Sequence, residues 1–160
     1  MKIPIPDSVR TLIEELCTQQ GAYVLELLAK GSKTRQLLEI IIDTEQGVTH
    51  ELCREISKKL DAHVETDEYL AGLTGIEVSS PGIDRPLEFV WQYHKHIGRD
   101  LRIALRAGGH TEGELVSVGA EALVLRKSQG KSVKKNDKEP IETEIAFTDI
   151  NHSIVQIRWK

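Results

Sequence analysis

A chain of 160 residues, 39% hydrophobic and 29% charged with only seven aromatics, suits one ordinary domain or two small ones of about 75 residues each. Its charged fraction and regular apolar periods exclude a disordered chain, and its broken apolar runs exclude a membrane-spanning helix. The net charge of -4 is unevenly spread: residues 1–90 hold nine Lys/Arg against sixteen Asp/Glu, residues 91–160 twelve against nine, as expected of two domains with different surfaces.

The opening Met1-Lys2-Ile3-Pro4-Ile5-Pro6-Asp7 lacks the apolar core and cleavage site of a signal peptide, so a cytoplasmic location is expected. Val9, Leu12, Ile13, Leu16 and Cys17 then recur at helical spacing, with Asp7 or Ser8 as the expected cap and Gly21 as the stop. Tyr23 to Lys30 and Gln36 to Asp43, separated by Gly31-Ser32-Lys33-Thr34, read as a hairpin in which Leu38, Ile40 and Ile42 share a face. Thr49 is placed to cap a second helix, and Val48 and Cys53 have the spacing of a hydrophobic staple. Leu52, Cys53, Ile56 and Leu60 form its apolar stripe. An acidic connector leads to a strand at Gly75 to Ser79. Helix, strand, strand, helix, strand predicts a three-stranded sheet with both helices on one face.

Pro81-Gly82 fits a type II turn with glycine at positive φ, and Leu87 to His96 is expected as a short helix presenting Leu87, Val90, Trp91 and His94 on one side. Beyond Gly98 the period becomes two. Leu101, Ile103 and Leu105 begin a series of five short strands that ends at Ile154-Val155-Gln156-Ile157. Such a series predicts a small closed barrel. The fold class is therefore α+β: an α/β domain over residues 1–86 and a β-barrel domain over residues 87–160.

Catalytic signatures are missing from this pattern. Ser79-Ser80-Pro81-Gly82 is not a nucleophile elbow, and neither a phosphate-cradling nor a dinucleotide-binding glycine motif occurs. Cys17 and Cys53 occupy apolar helical stripes and lack CxxC spacing, so inert thiols are expected rather than a zinc site or a disulfide. His94 and His96 diverge on a helix, and no metal site or cofactor is expected. Binding has more support. Arg126, Lys127, Lys131, Lys134, Lys135 and Lys138 form a basic cluster in the polar stretch Lys127 to Pro140, suited either to RNA phosphates or simply to keeping a loop solvated. Gly113-Glu114-Leu115-Val116-Ser117-Val118, a turn, and Leu123-Val124-Leu125 are similar to the strand order of Sm-like and SH3-like barrels, where a glycine permits a strand bend. Ser79, Ser80, Pro81, Gly82, Asp84, Arg85 and Pro86 form a stiff, proline-framed segment after the third strand, read either as an interdomain clamp or as a partner contact.

The run Thr74 to Leu87, with Ser-Ser-Pro-Gly-Ile-Asp-Arg-Pro-Leu at its end, closely resembles the signature of the bacterial ribosome maturation factor RimP family. The resemblance extends upstream through Ile42-Asp43 and Gly47-Val48-Thr49, and downstream through the barrel half to Phe147-Thr148-Asp149-Ile150. It implies an α/β domain followed by an SH3-like or Sm-like barrel, and a non-catalytic factor for late assembly of the small ribosomal subunit. It also implies contacts with rRNA and with a ribosomal protein near the decoding centre of the free subunit, no membrane partner, and a monomer. The competing expectation is an Sm-like regulatory RNA-binding protein, which needs a ring of identical barrels.

Overall fold

The computed structural model describes residues 4–32, 34–127 and 141–156. The chain divides into two compact units, Met1–Pro81 and Gly82–Lys160. Helices and two separate sheets make the architecture α+β.

In the first unit α1 spans Asp7–Gln19 and buries Val9, Ile13, Leu16 and Cys17, the stripe that the helical period selects. Asp7 is its first helical residue, and Pro6 occupies the cap position without a side-chain hydrogen bond. The expected Asp7 or Ser8 cap is thus displaced by proline, whose fixed φ and missing N–H suit a helix start. Gly21, at φ 77, ends the helix. β1 (Tyr23–Gly31) and β2 (Gln36–Asp43) form the expected antiparallel hairpin, and β3 (Gly75–Ser79) joins β2 in parallel, giving the order β1-β2-β3. α2 (His50–Val64) is capped by Thr49, whose hydroxyl accepts the Leu52 N–H at 3.1 Å. Leu38, Ile40 and Ile42 from β2 meet Ile56 and Leu60 from α2 and the α1 stripe in one core. Leu27, Ala29, Ile76 and Val78 flank it. The acidic connector holds one short helix that periodicity did not reveal, α3 (Glu68–Ala71), capped by Asp67 accepting the Leu70 N–H at 3.0 Å. Four residues are too few to display a period, and only the cap residue marks it.

The second unit opens on a turn in which the Arg85 N–H donates to the Gly82 carbonyl at 3.0 Å. Ile83 and Asp84 are therefore its central residues, and Gly82 does not have positive φ, so the type II turn expected at Pro81-Gly82 is replaced by a turn beginning at Gly82. The helix expected over Leu87 to His96 does not form either. Val90–Gln92 and His94–His96 are two separate 3-10 turns. Leu87 pairs instead with Ser153 as an isolated bridge, its N–H donating to the Ser153 carbonyl at 2.7 Å. Of the predicted helical face Leu87 is buried but Val90, Trp91 and His94 are not, and Gln92 and Tyr93 are buried instead.

β4 (Asp100–Leu105), β5 (His110–Val118), β6 (Ala122–Lys127), β7 (Ile141–Ala146) and β8 (Ile150–Gln156) form one antiparallel sheet in the order β7-β6-β5-β4-β8. β7 and β8 stand at its two ends, joined by a 3-10 turn at Phe147–Asp149. β8 begins four residues earlier than its apolar run suggested, because Ser153 and His152 continue the ladder with β4 without apolar alternation, and Ile150 rejoins it past an irregularity at Asn151. Leu101, Ile103, Leu115, Leu123, Leu125 and Ile145 point into a second core, closed by Leu87, Tyr93 and Ile150.

Candidate functional site

The motif residues fall on both sides of the division between the units. Ser79 ends β3, in parallel register with Ile41, and Ser80 and Pro81 follow it. Gly82, Asp84, Arg85 and Pro86 belong to the second unit, with Gly82 and Arg85 closing one turn. Asp84 is exposed, whereas Arg85 and Pro86 are half-buried. A Cβ on Gly82 would lie 3.0 Å from the Asp84 carboxylate, so glycine leaves room for that side chain to fold back over the turn.

Of the basic cluster, Arg126 and Lys127 lie at the end of β6, while Lys131, Lys134, Lys135 and Lys138 lie outside the described residues. Arg126 sits in a cross-strand row with Glu142 on β7, Glu114 on β5 and, beyond Glu114, Asp100 on β4. Its guanidinium reaches Glu142 at 3.0 Å and Glu114 at 3.6 Å. Arg102 pairs with Glu112 at 3.5 Å two positions along the same β4–β5 ladder. The side chains of Arg126 and Arg102 are therefore balanced by carboxylates of the same sheet. This row borders an open groove of about 880 Å³ whose lining includes Asp100, His110, Glu112, Glu114, Arg126 and Gln156. Lys127 lines it as well, so the groove presents charges of both signs to a polar partner.

Cys17 is buried and its thiol is pushed from 9.0 to about 11, first by burial and then by the neighbouring Cys53 and Glu14. Burial also raises Cys53. Both thiols are free and poor nucleophiles at neutral pH. Among the described residues no three His, Cys, Asp or Glu side chains are grouped to hold a metal ion, and no helix is long and apolar enough to cross a membrane.

The helical reading concealed one cluster. Phe89 and Trp91 stack with centroids 5.8 Å apart and planes 7° from parallel, and Lys95 Nζ lies 5.8 Å from the Trp91 centroid. Residues two apart diverge on an α-helix, so only the loss of that helix lets the two rings meet. The available signal was compositional: from Phe89 to Arg99 the chain holds Lys95, Arg99 and two histidines but no acidic residue.

Residues 12–84 match the RimP N-terminal domain. Over 104 residues the chain is 36% identical to the ribosome maturation factor RimP of Chlorobium chlorochromatii (strain CaD3), covering 64% of this chain and 58% of that protein. Over 135 residues it is 30% identical to the ribosome maturation factor RimP of Chlorobium luteolum (strain DSM 273 / BCRC 81028 / 2530), covering 77% of this chain and 76% of the relative.

Proposed function

The chain belongs to the RimP family of ribosome maturation factors, and on that footing we propose that it binds the free, immature small ribosomal subunit and assists its late assembly. The observation that carries this reading is similarity to proteins named for ribosome maturation across both units, including 77% of the chain in one case. The mechanism is binding without bond making: the protein occupies a maturing site, favours one rRNA–protein arrangement, and leaves when the mature state binds it less well. Only differential affinity for the two states can drive such a step. No cofactor enters this scheme, and the location is the cytoplasm, where subunits mature.

Within this reading the second unit is an SH3-like or Sm-like barrel that meets a ribosomal protein near the decoding centre, with rRNA beside it. Support comes from its five-stranded antiparallel order and from Gly113, where a Cβ would stand 3.0 Å from the Arg126 carbonyl and hinder the approach of β5 to β6. The Ser79 to Pro86 motif is read as a stabilised passage between units ahead of a recognition surface. Lys127, Lys131, Lys134, Lys135 and Lys138 remain the candidate phosphate contacts, whereas Arg126 is engaged by Glu114 and Glu142.

Cosedimentation with separated ribosomal subunits tests the proposal. The chain should travel with the small subunit and not with the large one; equal partition, or no association, sinks it. The same strand order also suits an Sm-like regulator, which must assemble a ring. A monomeric mass in solution rules that out.

A further inference from the structure

We propose that Phe89, Trp91 and Lys95 form a stacking platform for an unpaired nucleobase of single-stranded RNA. Phe89 is 46% exposed, an unusual position for a Phe in a chain with only seven aromatic residues. Neither ring belongs to the second unit's buried core, nor to the apolar side chains packed against it, so core packing does not explain why they are stacked. Tyr93 and Phe147 do serve that core, meeting edge to face at 5.3 Å. Phe89 and Tyr93 thus stand four residues apart with opposite assignments: Tyr93 is buried in the core, and Phe89 is exposed on the half-buried Trp91.

The surface pair is held ready. The Gln92 side chain is buried and its Oε1 accepts the N–H groups of Glu88 at 2.8 Å and Phe89 at 2.9 Å. This fixes the backbone that carries the Phe89 ring, so little order is lost when a flat ligand arrives. Lys95 over Trp91 adds a cation beside the stack, and the acid-free run from Phe89 to Arg99 supplies a field complementary to a phosphate backbone. Aromatic faces beside cations bind any nucleobase by stacking and follow the backbone by charge, with little sequence preference. Duplex RNA hides its base faces, so the ligand is unpaired.

The proposal takes only the source of the RNA, immature rRNA, from the ribosome-maturation reading; the platform stands on its own geometry. The test uses the full chain and a fluorescently labelled short oligouridylate, followed by anisotropy over a salt series. Phe89→Ala should weaken binding by about five- to 150-fold, the range of one lost base stack, while Phe89→Trp keeps it. Lys95→Gln should weaken binding and lower the salt slope by about 0.7, one counterion on a single strand. Melting temperatures should stay near wild type, because Phe89 lies outside the core. Absence of oligouridylate binding by the wild type, or unchanged affinity in Phe89→Ala, overturns the platform. Unchanged oligouridylate affinity together with loss of small-subunit cosedimentation also overturns it, and assigns the rings to a protein contact. Failure of the wild type to cosediment would instead defeat the assembly reading, whatever the oligouridylate does.

Discussion

Gln92 shows how one polar side chain can hold an irregular segment. Its Oε1 accepts two backbone N–H groups, from Glu88 and Phe89, where no helix supplies an acceptor. Gln92→Leu keeps the side chain's approximate volume but leaves both amides short of their partner. Depriving a buried donor of its acceptor costs about 1–3 kcal/mol, so the variant should melt clearly below wild type in a thermal scan. An unchanged melting temperature would mean that water replaces Oε1 at once. Cys17 makes a different residue-scale prediction. Burial favours its neutral thiol and raises the folded value to about 11, against 9.0 for the unhindered group. Between these values the folded protein binds more protons than the unfolded chain. The contribution is complete below pH 9 and lost as pH rises towards 11. Cys53, Tyr69 and Tyr93 are raised in the same direction, so wild type has several sources of alkaline destabilisation. Cys17→Ala should be less stable throughout, from the cavity it leaves, yet show a shallower fall in melting temperature across this window. Parallel curves for the two proteins would remove Cys17 from the account.

Among elements, α2 is the clearest case of local sequence and tertiary packing agreeing. Thr49 caps it, Val48 and Cys53 both pack against the core on either side of that cap, and Ile56 and Leu60 continue the buried stripe. Thr49→Ala removes an acceptor for the Leu52 N–H and should cost about 1 kcal/mol by denaturant titration, with the slope of the transition unchanged. A cost near zero would show that solvent satisfies that amide equally well. α1, α2 and all three strands of the first unit were legible because each has enough residues to display a period of 3.6 or two. Gly31 was legible only as a loop residue. Its φ of 102 and the collision that a Cβ would make with the Arg35 carbonyl explain why glycine is required there. The segment from Leu87 to His96 was misread for an equally physical reason. Leu87, Val90, Trp91 and His94 match a helical period by spacing, but Leu87 is claimed by β8 and Gln92 by the amides before it. Tertiary bonding overrode a four-residue pattern, and with the helix went the evident grouping of side chains. The motif from Ser79 to Pro86 was legible as a resemblance rather than as geometry: its residues carried the likeness to the family, while the turn itself begins at Gly82.

At the scale of the whole molecule, the two halves differ in charge as well as in architecture, and this bears on how a particle rich in phosphate would be met. The basic excess of residues 91–160 suggests that half as the electrostatic contact, but formal charge overstates what Arg126 can contribute. Its guanidinium, 41% exposed, already lies 3.0 Å from Glu142 and 3.6 Å from Glu114, and a phosphate would have to compete with both carboxylates. Lys131, Lys134 and Lys135 carry charge in a stretch where Asp137 and Glu139 offset only part of it. Each lysine that neutralises a phosphate releases counterions and steepens the salt dependence by about 0.7–0.9 in the logarithmic slope. Replacing these three with Ala should therefore weaken small-subunit binding and flatten its salt dependence. Arg126→Gln should do neither to a comparable degree. It should instead lower the melting temperature modestly, because Glu114 and Glu142 would flank β6 without the cation between them. Binding measured by cosedimentation over a salt series separates the possibilities. An unchanged slope in the triple variant makes Lys131 to Lys138 a solubilising stretch. An equal flattening in Arg126→Gln would mean that the Glu114 and Glu142 pairs open on the subunit, releasing Arg126 to the phosphate backbone.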